Sequence, residues 1–369
     1  MTAGTIIASL HAIYPIDVSW NNCRSPTDSV GPRPARPAAP LLVARVARPE
    51  GFVKTNMRIS IVLFAVVCLW TGFSSAEAQL IRVRIAHPNE NVAWFPIYVA
   101  IKKGIFAKHG LEILMVQIPS RLAITALATR EIEYISTLGT PMNALSRGLL
   151  GKVVMINNHK PFFVLVTRQE VKSPKDLRGR TVAVSQIGGA VDLSLLWILE
   201  NLGLKRTDIN VLPAGTGVNA FLLLRAKKVD AAMVSVPADL VLEREGFRPM
   251  VYLKDLVDAP TGAYIALEER VRKNRDEIKR LIMGTLEGIT YTKTRREEVI
   301  PFLKDFLKLD NLEMAGRGYD RIKDIWPDDG MASEEALRRT ATLAGIAPDM
   351  PISQLFDWSI LKEAVAGVR

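Results

Sequence analysis

A chain of 369 residues with four histidines and two cysteines offers few groups that can carry out a reaction. His87, His109 and His159 are far apart, and none stands at the spacing that metal ligands need. There is no G-x-S-x-G nucleophile elbow, and no carboxylate pair stands apart from ordinary helix surface. Both cysteines, Cys23 and Cys68, fall within the first 78 residues. The strongest chemical pattern is "AVSQIGGAVDLSLLWILENLGL", Ala183–Leu204, where a β-type run meets a Gly188-Gly189 turn and an apolar helix follows. It lacks the Lys-Ser/Thr of a P-loop and the G-x-G-x-x-G of a dinucleotide site, so neither kinase nor dehydrogenase chemistry is supported. Two glycines at a helix start leave the N–H groups of residues 188–191 open to a ligand with no Cβ in the way. The same stretch also reads as a tight corner and nothing more. Asp192 in the first helical turn already complements the dipole, so a neutral or zwitterionic ligand group suits the turn as well as a sulfonate does.

Three other stretches stand at corresponding strand ends. "NVAWFPIYVA" (Asn91–Ala100) places Pro96 at the first helical position. Phe95 reads as a staple into the core, and Trp94 as the ring that faces a cleft. "STLGTP" (Ser136–Pro141) offers the hydroxyls of Ser136, Thr137 and Thr140, with Gly139 allowing close approach. In "VSVPAD" (Val234–Asp239), Val236 and Pro237 read as packing. Ser120 reads as an N-cap. Arg121 beside it is either a partner for an anion or a solvated surface cation. Phe162 and Phe163 read as hinge packing.

The elements that must position these residues alternate short β runs with helices of about ten residues, which implies parallel βαβ units. Strands are expected at 81–86, 112–117, 134–136 and 152–157, with helices at 97–108, 121–130 and 142–147. The order then recurs, with strands at 181–185, 210–212, 231–234 and 249–251 and helices at 191–202, 219–227 and 238–245. "REIEYIS" answers "KKVDAAMVS", and Pro141 answers Pro237, at separations of 96 to 99 residues. Two α/β lobes of like design follow, 79–160 plus 256–369 and 161–255, each a mostly parallel sheet flanked by helices. A strand at 261–269 returns the chain to the first lobe, so two crossings make a two-strand hinge beside a cleft. Helical segments follow to the end, with Ser333 as the N-cap of one.

Composition sets the frame. The chain is 49% hydrophobic, enough for more than one domain. Residues 1–56 are rich in Pro and Arg without periodicity, and read as a disordered extension or a start codon set too far upstream. "MRISIVLFAVVCLWTGFSSAEAQ" from Met57 reads as a signal peptide covering 57–78, with a basic residue, an apolar run too short to span a bilayer and a small-x-small cut near Ala78. Removing those 78 residues takes away both cysteines, seven Lys/Arg and four Asp/Glu, and the formal charge drops from +10 to +7. The remaining basic residues are scattered, which argues against a nucleic-acid surface.

"FPIYVAIKKGIFAKHGLEI", "ALATREIEYIS", "VKSPKDLRGRTVAVSQIGG" and "LLRAKKVDAAMVSVPADLVLEREGF" together resemble the nitrate/sulfonate/taurine-type substrate-binding proteins of ABC importers. That group is similar in fold to the pyrimidine-precursor synthases. The resemblance runs from about Arg82 to the "FDWSILKEAV" tail. It implies a type II periplasmic-binding fold whose two lobes close on a small organic solute (a sulfonate, a nitrate-like anion, or a pyrimidine or aromatic compound) and then dock on a membrane permease. By motif position it implies that Trp94, Thr137, Gly139, Thr140, Gln186, Gly188, Gly189 and Ala190 line the cleft. It further implies a monomeric periplasmic protein with no catalytic residue, metal, cofactor or nucleic-acid partner. The cysteine-rich and histidine features of the synthase branch do not occur here. A synthase-like enzyme and a ligand-sensing module of a membrane signalling system are the alternative expectations.

Overall fold

The computed structural model describes residues 79–88, 91–187 and 190–366. The N-terminal extension, the signal peptide and Gly188-Gly189 therefore lie outside the described residues. The first half runs β1 (Ile81–His87), a 3-10 turn at Val92–Trp94, α1 (Phe95–Lys102), α2 (Ile105–Lys108), β2 (Leu111–Gln117), α3 (Ser120–Ala128), β3 (Tyr134–Thr137), α4 (Gly139–Ser146) and β4 (Gly151–Asn158). The second runs β5 (Phe163–Thr167), β6 (Thr181–Val184), α5 (Ala190–Asn201), β7 (Asn210–Pro213), α6 (Gly217–Arg225), β8 (Ala231–Ser235), α7 (Ala238–Arg244) and β9 (Arg248–Tyr252). Then come β10 (Gly262–Leu267), α8 (Glu268–Lys273), α9 (Arg275–Thr294), α10 (Arg296–Leu307), α11 (Leu312–Ile322), α12 (Glu334–Leu343) and α13 (Ser359–Ala366).

These strands form two five-stranded sheets, ordered β2-β1-β3-β10-β4 and β7-β6-β8-β5-β9. β1 runs parallel to β2 and β3, and β6 runs parallel to β7 and β8. The fourth strand of each sheet, β10 or β5, is antiparallel to both its neighbours. Each of these two strands is the one the chain enters on crossing from the other sheet. The duplication is thus complete strand for strand, and the mixed α/β class is as expected.

Both faces of each sheet are covered, which is why the strands read as apolar runs. Val83, Ile85 and Tyr134 pack beneath α1 and α9, while Ala86, Ile135 and Ile156 pack beneath α3, α4 and α12. Burying Ile85 and Ile135 contributes about 2 kcal/mol each. In the second sheet Val182 and Val184 meet α5, and Val164 and Ala183 meet α6 and α7. α9 sits unusually close to the first half because two of its residues lack a Cβ. A methyl on Gly288 would lie 2.7 Å from Ala100 Cβ, and one on Gly284 would lie 2.6 Å from the Phe106 ring.

Several expected boundaries shift for local reasons. The helix at 97–108 is split by Gly104, whose φ of +68° is the left-handed region that only glycine adopts without cost. Ser120 is the first residue of α3, and Pro119 holds the N-cap position. α4 starts at Gly139, so Pro141 lies inside its first turn, where a missing N–H costs nothing. Ser333 does cap α12, accepting from Ala336 N at 3.2 Å. The strand at Phe163–Thr167 was not expected, since the first crossing was placed at Asn158–Phe163 and no element was assigned to the residues that follow.

The C-terminal helices bind the second half to the first. Val236 and Leu240 join the cluster formed by α1 and α9 to α11. Arg321 of α11 donates to Asp239 Oδ2 of α7 at 2.6 Å, and both Arg317 and Arg321 donate to Glu243. Tyr252 adds a donation to Asp239 Oδ2 at 3.2 Å.

Candidate functional site

The two crossings are short loops, not strands, and Pro161 and Pro260 interrupt them. Buried Asn158 ties one to the other. Its carbonyl and Oδ1 each accept from Thr261 N at 3.3 Å, its Oδ1 accepts from the Thr261 hydroxyl, and its Nδ2 donates to Lys160 O at 2.7 Å. Leu138 N, at the end of β3, donates to Thr261 O at 3.1 Å. His159 N donates to Ile325 O at 2.8 Å, and its ring Nε2 lies 2.9 Å from Asp324 O. Burial pushes the His159 imidazole below its ordinary value, so it is neutral at pH 7. His109 instead meets Glu287 at 2.9 Å, and His87 packs edge-on against Trp94.

Beside the crossings lies a cavity of about 540 Å³. Its walls follow the carboxyl ends of β1, β3 and β6, where open α/β sheets place their ligands. The β1–α1 turn supplies Pro88, Asn91, Ala93 and Trp94, and the β3–α4 turn supplies Thr137 through Thr140. From the second half come Ala190, Leu193, Ser194 and Trp197, one face of α5 at helical spacing. Phe162, Phe163 and Thr261 close the crossing side, and Thr340 and Leu343 of α12 add a further wall.

Of the expected site residues, Trp94, Thr137, Gly139, Thr140 and Ala190 line this cavity. Trp94 is nonetheless 3% exposed, so only part of the indole is presented. Gly139 has φ +32°. Gln186 is exposed and is not among the lining residues. Gly188 and Gly189 lie outside the described residues, and Ala190 is the first residue of α5. Ser136 is fully buried and donates to Ala86 O at 2.6 Å, which stitches β3 to β1 instead of facing a solute. Phe95 is buried in the core as expected.

Sequence reasoning left out several lining residues. Phe162 and Phe163 were read as packing, yet their rings, 4.9 Å apart, face the cavity as well. Trp197 was legible, since it stands three and seven residues beyond two other lining positions on one helix face. Nothing local marks Thr340 or Leu343, which arrive from about 200 residues away.

The electrostatics of the lining are simple. Among the described lining residues there is no Lys, Arg, His, Asp or Glu. The starts of α3, α4 and α5 all reach the cavity through Ser120, Gly139 and Ala190. α3 and α4 have no acidic residue in the first turn, whereas α5 has Asp192, which is buried and ion-paired to Arg206. Thr137 Oγ1 is buried and has no hydrogen-bond partner among the described residues. No group of His, Cys, Asp and Glu among the described residues could hold a metal ion.

Comparison with known proteins agrees with this architecture. A candidate binding protein of Brucella abortus is 26% identical over 253 residues, 66% of this chain and 78% of its own length. The riboflavin-binding protein RibY of Chloroflexus aurantiacus is 24% identical over 65% of this chain and 71% of its own. Among solved structures, the periplasmic aliphatic sulphonate binding protein SsuA of Escherichia coli superposes with a TM-score of 0.60 at 22% identity, covering 72% of this chain and 91% of that one. The desulfurization enzyme DSZB shares the fold at a TM-score of 0.58 and 16% identity, over 78% and 100% of the two chains. The NMT1/THI5 like family model matches residues 91–299, which include every strand but β1 and most of the cavity wall, and the chain belongs to that family.

Proposed function

We propose that the protein is the extracytoplasmic solute-binding component of an ABC importer, which holds a small organic solute between two lobes and delivers it to a permease. The observation that carries this reading is the cavity itself. It lies at strand carboxyl ends, is walled by both halves, and sits beside two short crossings tied by one buried asparagine. Lobe 1 is 79–160 with 256–369 and lobe 2 is 161–255, and the crossings act as the hinge on which they close. The binding roles named for relatives, and the periplasmic location of SsuA, support the assignment. The protein is exported by the segment 57–78, acts as a monomer, and binds its solute without transforming it. Trp94, Thr137, Gly139, Thr140 and Ala190 contact the solute, with Gly188 and Gly189 completing the rim.

The test is native mass spectrometry of protein purified from its host, followed by thermal unfolding with the solute so found. One bound molecule per chain is expected, and a concentration of 100 Kd should stabilise the protein by about 2.7 kcal/mol. Conversion of the bound compound to a product would reject the reading. It would favour an enzyme instead, an alternative that the fold of the desulfurization enzyme keeps specific.

A further inference from the structure

The chemistry of the cavity wall narrows the solute class. We infer that the solute is a flat aromatic molecule of no net charge, gripped by indole and phenyl rings from both halves and anchored through a neutral acceptor at the β3–α4 turn. The inference rests on the reading of this cavity as the solute site.

Three observations point the same way. Four aromatic side chains reach the cavity from three separate places: Trp94 after β1, Trp197 on α5, and Phe162 with Phe163 at the crossing. Rings placed so wide apart in sequence give a planar solute stacking or edge contacts on more than one side. The second observation is size. A cavity of about 540 Å³ holds roughly 18 waters at about 30 Å³ each. Nitrate or a short alkanesulfonate would displace few of them and leave the apolar walls wet.

The third is charge. No formal charge lines the cavity among the described residues. The undescribed residues adjoining the lining in sequence are Asn89, Glu90, Gly188 and Gly189, and none is a cation. Two nearby cations have other partners, Lys160 at 3.6 Å from Asp258 and Arg339 at 2.9 Å from Glu335, while Arg121, next to the lining Ser120, is exposed and is not itself among the lining residues. Arg206 is paired with Asp192, whose carboxylate also meets the positive end of α5. The partial charges left over, at the starts of α3 and α4, suit a carbonyl oxygen or ring nitrogen, and the Thr137 hydroxyl beside them stands ready to donate or accept.

The test is a titration of the purified chain, read by tryptophan fluorescence and thermal shift, with five probes. Nicotinamide and lumichrome are uncharged rings, benzenesulfonate is a charged ring, and ethanesulfonate and nitrate are anions without a ring. At least one uncharged ring should bind ten times more tightly than benzenesulfonate, and the two ring-free anions should give no shift at millimolar concentration. Trp197→Ala should weaken the ring probe about tenfold, or about 1.4 kcal/mol, and Trp197→Phe should recover most of the loss. Circular dichroism confirms that both variants fold. Tighter binding of benzenesulfonate overturns the charge assignment, and its loss in Arg121→Gln would identify the cation responsible. Binding of ethanesulfonate or nitrate alone overturns the aromatic assignment but leaves the solute-binding function intact. No binding by any probe overturns the inference, and an empty native mass spectrum besides would take the function with it.

Discussion

Replacing Arg321 by alanine should be among the most damaging changes outside the cavity, and the structure sets its size. Asp239 on α7 has no exposed side-chain surface, and the Arg321 guanidinium is its ionic partner at 2.6 Å. Removing one member of such a pair leaves an uncompensated buried charge and typically costs about 3–5 kcal/mol. Arg321 is itself 19% exposed and shares Glu243 with Arg317, and Tyr252 still donates to Asp239, so the lower end, about 3 kcal/mol, is expected. For a chain of this size that corresponds to a fall in Tm of roughly 6–10 °C. Urea unfolding followed by circular dichroism measures it. The pH dependence is a second, independent readout. Burial raises the Asp239 carboxyl above its ordinary value of 3.8 even with Arg321 present. A carboxyl with a raised folded pKa contributes its stability in full below the unfolded pKa and loses it as pH rises through the folded one. Losing Arg321 raises that folded pKa further, so the penalty should be smaller at pH 5 than at pH 7.5, and Asp239→Asn should rescue part of it. A loss under 1 kcal/mol, or an equal loss at both pH values, refutes the account of a buried pair joining α7 to α11.

Three further outcomes are expected. Thr137→Val removes a buried hydroxyl that bonds nothing in the described structure, so stability should change by less than about 0.5 kcal/mol while solute affinity falls about 2–10-fold by calorimetry. Equal affinity would release Thr137 from the site. Gly288→Val places a branched side chain where a Cβ already lies 2.7 Å from Ala100 Cβ and 2.9 Å from Pro96 O. A loss of about 2–3 kcal/mol should appear in thermal unfolding. Burial pushes the Glu133 carboxyl up, but the Arg84 hydrogen bonds and the charges of Arg84 and Arg270 leave it below its ordinary value of 4.5. Its contribution is therefore present above pH 4.5 and lost as pH falls through the lower folded value, so Glu133→Gln should cost about 2 kcal/mol at pH 7 and flatten the acid limb of the stability curve.

How far the chain can be read without its fold depends on the distance over which each signal acts. Alternation of short β runs with helices, and the recurrence of "REIEYIS" in "KKVDAAMVS", are local patterns that fix two sheets of the same design. Trp94, Thr137, Gly139, Thr140 and Ala190 were marked by motif position, beside strand ends or a helix start, but that the two sheets bring them to one cavity was not legible from local period. The Phe163–Thr167 strand was missed because it has no short-range partner to mark it. It pairs only with β8 and β9, which lie 60 to 90 residues further on.

What the sequence by itself determined is the fold class, the duplication and the poverty of reactive groups, all of which follow from residue type and short-range period. Only the tertiary structure decided that α12 walls the cavity, that Asn158 ties the crossings, and that Lys160, Arg206 and Arg339 are paired with carboxylates. Those facts depend on which distant segments pack together, and packing is settled by the whole core at once.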